Sequence, residues 1–126
     1  KKLSLTWDEQ AALGYALSDG MREIVRNAYQ DVTTNLPLAV AEIRKLNPDA
    51  EILLLGYYNP AWILPTWNNY FNQLRRFERQ LAKDMGLTYV DITWTAVDND
   101  AHPSIAGHRY IGSQITKAIR KLDVLD

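Results

Sequence analysis

The residues best suited to chemistry stand together in Asp98-Asn99-Asp100-Ala101-His102-Pro103-Ser104-Ile105-Ala106-Gly107-His108, where a histidine sits among acids just ahead of a helix start. A neutral imidazole so placed takes a proton from a nucleophile while a carboxylate holds its second ring nitrogen. That is the base and orienter of a hydrolytic triad. Asp98 and Asp100 both compete for the orienting role. The nucleophile is not evident: Ser104, directly before a helix, has the position of an N-cap, and Ser4, Ser18 and Ser113 lack a glycine-flanked turn. With no cysteine in the chain, a thiolate is excluded.

Each of these residues also has a plainer use. Asp100 near a helix N-terminus sits where negative charge is favoured, and His108 at the start of that helix suits a solvent-facing or packing role. Asp98, Asp100, His102 and His108 carry the ligand types of divalent cations, but their spacing matches no familiar site, so no metal is expected, and hydrolysis by a triad needs no cofactor. Asn59 either turns its amide into a crevice and touches substrate or forms the turn before Pro60. Tyr57, Tyr58, Trp62 and Trp67 either line an acyl pocket or roof the core.

The elements that must position these groups follow from the apolar spacing. Thr6-x-x-Glu9 has the form of a capping box and starts a short helix that weakens near Ser18-Asp19-Gly20. Met21, Ile24, Val25, Ala28, Val32, Leu36, Val40, Ile43 and Leu46 then recur close to a 3.6-residue period. They predict a long amphipathic helix kinked near Pro37. Glu51 to Tyr58 is a nearly continuous apolar run, the form of a strand buried on both faces. A second helix from Thr66 carries Tyr70, Leu74, Phe77, Leu81 and Met85 on one face, with Gly86 as its C-terminal cap. Thr88 to Thr93 reads as another strand, and Ile111, Ile115, Ala118, Ile119 and Leu122 mark the inner face of a last helix. Helix, strand, helix, strand, helix with short connections implies an α/β fold with parallel strands. Ligands in such folds collect beyond the carboxyl ends of the strands, where the Asn59 loop and the Asp98 to His102 loop both fall.

Composition narrows the function classes. The 126 residues are 47% hydrophobic and 23% charged with a net charge of −1, the balance of a single domain or a fragment of one. The cations are scattered, which disfavours nucleic acid or an anionic membrane surface as partner. No apolar run reaches the ~20 residues of a membrane span. Lys1-Lys2 leads into no signal-peptide core, and without an initiator Met the chain reads as a processed or truncated piece.

Leu46-Asn47-Pro48-Asp49-Ala50-Glu51-Ile52-Leu53-Leu54-Leu55-Gly56-Tyr57-Tyr58-Asn59-Pro60, followed by Asp100-Ala101-His102-Pro103-Ser104 and Gly107, resembles the C-terminal half of an SGNH hydrolase of the GDSL lipase/esterase family. The resemblance runs from Met21 onward, and His-Pro-Ser-x-x-Gly is its most specific part. It implies the C-terminal part of a flavodoxin-like three-layer α/β/α fold, with ester hydrolysis by a Ser-His-Asp triad. His102 matches the general base. The family's usual acid position is Asn99 here, which leaves Asp100, the preferred substitute, or Asp98. The blocks that carry the nucleophile and oxyanion donors are missing, so the serine is expected outside this chain and the chain alone is expected to be inactive. The substrate implied is a small-molecule, lipid or carbohydrate ester, in an extracytoplasmic bacterial setting. A non-catalytic SGNH-like binding module is the alternative. Half a sheet would leave strand edges open to pairing with a second copy, so a homodimer is expected.

Overall fold

The computed structural model describes residues 14–15, 18–60 and 65–122. The helix expected from Thr6, Ser4 and Trp62 lie outside them. Helix α1 spans Asp19–Leu46, and Ser18 is its N-cap, its Oγ accepting from the Met21 amide at 3.2 Å. Pro37 lies inside α1 without ending it. One turn earlier the Thr33 hydroxyl donates to the Tyr29 and Gln30 carbonyls at 2.9 and 3.1 Å. Asn47 closes the helix, its amide donating to Ile43 O at 2.8 Å.

Strand β1 is Leu53–Leu55, helix α2 is Pro65–Met85, strand β2 is Thr88–Val90 and helix α3 is Ile105–Lys121. The strands pair in parallel, with Leu53, Leu54 and Leu55 opposite Thr88, Tyr89 and Val90. The coarse α/β class with parallel strands is therefore present. Backbone bonds from Thr88 N to Ile52 O and from Gly56 N to Val90 O, both 3.0 Å, extend the ladder by a step at each end.

Three expectations change, the first being that the strand read from Thr88 to Thr93 ends at Val90. The Glu51 to Tyr58 run contributes only a three-residue strand, and it is not buried on both faces: Leu53 and Leu54 are half-buried and Leu55 is exposed. Its partner sets the limit, because Asp91 Oδ1 accepts from the Thr93 amide at 2.9 Å and turns the chain out of the sheet just past Val90. The inner face of α2 is also rotated from the one read. Phe71, Leu74, Glu78, Leu81 and Ala82 are buried, a run at helical spacing that includes a carboxylic acid.

Val90, Ile92 and Ala118 form the centre of one core, with Leu53, Tyr58, Tyr110, Ile111 and Ile115 packed around it. This joins α3 to the sheet. On the other side α1 lies on α2, where Val25 and Val40 are its buried residues. Gly86, at φ +63°, caps α2 as expected, and the Leu87 amide reaches back to Ala82 O at 2.8 Å, a Schellman closure. Arg44 ties α1 to that end, donating through Nη2 to Gly86 O at 2.9 Å. A guanidinium favours the negative pole of a helix. Among the described residues no helix is long and apolar enough to cross a membrane.

Candidate functional site

The segment leaving β2 folds into a closed loop before α3 begins. Val97 and Pro103 bridge in antiparallel fashion, Asp98 N donates to His102 O at 2.9 Å, and Ala101 N donates to Asp98 O at 3.0 Å. Ala101 takes φ +68°, the left-handed turn that lets the chain reverse within so few residues. The Tyr58 hydroxyl, from just past β1, donates to Ala101 O at 3.3 Å and ties the loop tip to the strand ends.

Inside this loop Asp100 and His102 meet. Asp100 Oδ1 accepts from the His102 amide at 3.1 Å, and Oδ2 lies 3.3 Å from His102 Nδ1. The His102 amide above all, joined by the imidazole, favours the charged carboxylate and outweighs the opposing desolvation, so Asp100 titrates below its ordinary range. The pair leaves Nε2 turned away from the carboxylate. Both side chains are largely in solvent, His102 at 81% and Asp100 at 70% exposure. Asp98 joins the loop through its backbone.

Ser104 is the N-cap of α3, its Oγ accepting from Gly107 N at 3.1 Å. Its amide donates to Ala96 O at 2.9 Å. Gly107 is buried against the same carbonyl: a Cβ there would run into Ala96 O and crowd Thr95. The spacing Ser104 to Gly107 thus fixes the helix start on the loop base.

A cleft of about 620 Å³ opens at the carboxyl ends of the strands, walled by Asn59, Asn68 and Arg75 on one side and Thr93 through Val97 on the other. Asn59 therefore lies in a crevice, its Nδ2 donating to Asn68 Oδ1 at 2.5 Å. His102 and Asp100 are not among the wall residues. Tyr57 and Trp67 are not among its wall residues: Trp67 stacks on Phe71 with ring centres 6.0 Å apart, and Tyr57 tilts against the same ring at 6.3 Å. They roof α2. Trp94, 82% exposed, takes the place at the cleft. His108 is exposed on α3, and among the described residues no three His, Asp or Glu side chains converge as a metal site.

The sequence reading missed a buried polar cluster behind the cleft. Glu78 is 1% exposed, and desolvation pushes its carboxyl up to about 7 while Arg75 and the backbone of Tyr57 pull the other way. Neither Glu78 oxygen, nor Arg75 Nη1, nor the Tyr89 hydroxyl has a hydrogen-bond partner of good geometry among the described residues. Burial, and then the nearby Glu78, push the Tyr89 phenol up to about 12. Arg79 lies over the Tyr89 ring at 5.2 Å and pairs with Asp91 Oδ2 at 2.6 Å. Burial would raise Asp91, but the Thr93 hydroxyl and amide, with Arg79, outweigh it and hold the carboxyl low. A charged residue at an inward helical position was the available signal, at Glu78 between Leu74 and Leu81.

The chain matches no protein-family model, no curated protein and no solved structure.

Proposed function

We propose that this chain supplies the general base and orienting acid of a serine ester hydrolase, and that the nucleophilic serine and oxyanion donors lie outside these 126 residues. The supporting observation is the His102 Nδ1 to Asp100 Oδ2 approach of 3.3 Å in the loop beyond the parallel strands. With Nδ1–H directed at Asp100, Nε2 carries the lone pair that removes a hydroxyl proton. The serine oxygen then adds to the ester carbonyl, and the imidazolium returns the proton to the departing alkoxide. Water repeats the cycle on the acyl-enzyme. In this reading the two strands belong to a flavodoxin-like three-layer sheet, as the resemblance to SGNH hydrolases implies, and Asn59 contacts substrate from the crevice. The ester is that of a small molecule, lipid or carbohydrate.

In the full-length protein, His102→Ala should lower p-nitrophenyl acetate turnover by at least about 10³-fold. Asp100→Asn should lower it less, with Asp98→Asn close to the parent. Turnover unchanged by His102→Ala would end the assignment. The 126-residue chain alone should show no turnover.

One observation favours the alternative, a non-catalytic binding module. The exposed pair stands apart from the wall of the cleft beside Asn59. A full-length protein that neither hydrolyses esters nor labels with a fluorophosphonate would support that second reading.

A further inference from the structure

Arg75 faces two ways. Part of its side chain lines the cleft, while its Nη1 is enclosed and donates to no described acceptor. Nη2 donates to Asn72 Oδ1 on the same helix. One helical turn on lies Glu78, near enough for the guanidinium to bias its ionisation, yet the two make no ion pair among the described residues. A burial of complementary donor and acceptor without contact is costly on both sides. The same cation thus lines the cleft and acts on the Glu78 carboxyl.

The geometry points to a binding site for an organic carboxylate in this cleft, with the ligand's oxygens on Arg75, its body against the Trp94 indole, and Glu78 as the internal competitor for the guanidinium. A carboxylate brings the opposite charge and an acceptor oxygen to the part of Arg75 that lines the cleft. Asn59, Asn68 and Thr93 line the same cleft with carboxamide and hydroxyl groups. Trp94 offers a large exposed apolar surface for the rest of the ligand. One guanidinium balances one charge, which favours a carboxylate over a doubly charged phosphate facing the Glu78 field. The site shares its cleft and Asn59 with the ester reading but rests on Arg75 and Trp94, and His102 and Asp100 take no part in its wall.

Competition makes the site pH-dependent. When Glu78 is ionised it draws on Arg75, and when protonated it leaves the cation to the ligand. The other groups around Glu78 hold their charge through this range. Tyr89, from β2, and Tyr70, on α2, are both pushed upward by burial, and Asp91 is held low beside Arg79. The segment after β1 presents the Tyr57 backbone, and Arg44 on α1 is engaged with the Gly86 carbonyl.

Benzoate and its neutral isostere benzamide, titrated into the full chain and followed by the Trp94 indole NMR signal, test the proposal. Benzoate should shift that signal and bind at least about tenfold more tightly than benzamide. Its affinity should fall about tenfold between about pH 6 and about pH 8, following the protonated fraction of Glu78. Arg75→Gln should abolish binding, and Glu78→Gln should keep the low-pH affinity at about pH 8. Equal binding of benzoate and benzamide, no shift at Trp94, or full affinity in Arg75→Gln would overturn the proposal. The benzoate and benzamide comparison needs no variant, so it decides even if Arg75→Gln fails to fold.

Discussion

Glu78 occupies a position where α2 calls for an apolar side chain. Phe71, Leu74 and Leu81 share its face, and a carboxyl held there titrates at about 7 against an ordinary 4.5. The folded chain therefore binds this proton more tightly than the unfolded one. Its contribution to stability is complete below about pH 4.5 and is lost as pH rises through about 7. Glu78→Gln removes the ionisation and should stabilise the chain by about 1–3 kcal/mol at about pH 8, with the gain vanishing near pH 4. Urea unfolding at the two pH values measures this, and an equal offset at both would refute it. Apolar patterning missed this residue for a physical reason. The periodicity of Tyr70, Leu74, Phe77, Leu81 and Met85 defined a face only by its hydrophobic members, so a buried acid shifted the true stripe toward Phe71 and Ala82. The Asp100 to His102 approach and the Ser104 cap on Gly107 N were legible because each is a side-chain contact spanning no more than three residues.

The start of α3 shows how an element is seated by two small residues. Ser104 caps the helix, and Gly107 lets its first turn lie against the Ala96 carbonyl. Gly107→Ala places a methyl group on a backbone atom that cannot swing aside, and should cost about 1–3 kcal/mol through displacement of helix or loop. Thermal unfolding reads the loss, and a variant as stable as the parent would mean that the seat is loose. The Ser104 and Gly86 signals could be read from sequence because caps are set by short-range chemistry. Strand length could not. The eight-residue run from Glu51 is cut to Leu53–Leu55 by its partner strand, which ends where the Asp91 side chain captures the Thr93 amide.

At the scale of the whole molecule, the sequence pattern conveyed the element order and the parallel pairing, whereas the coverage of each face depends on what packs against it. Among the described residues β1 pairs with β2 alone. Leu38, Ile43 and Leu46 on α1, with Leu55 on β1, are exposed. Apolar groups and an unpaired strand edge in solvent promote association. The isolated chain should therefore dimerise, with a sedimentation coefficient that rises with concentration, and Leu38→Lys with Leu55→Lys should weaken the effect. A concentration-independent monomer would contradict it.

The closed loop between Ala96 and Ser104 has a consequence for how this fold can diversify. Its two ends are fastened to each other by the Ser104 amide on Ala96 O and by the Val97 to Pro103 bridge, so the tip is mechanically separate from the helix it precedes. Lengthening such an excursion adds only about 0.6 kcal/mol for each doubling. The acid and histidine ride on an exchangeable cassette, and new chemistries can be tried at this tip while the scaffold beneath it stays fixed.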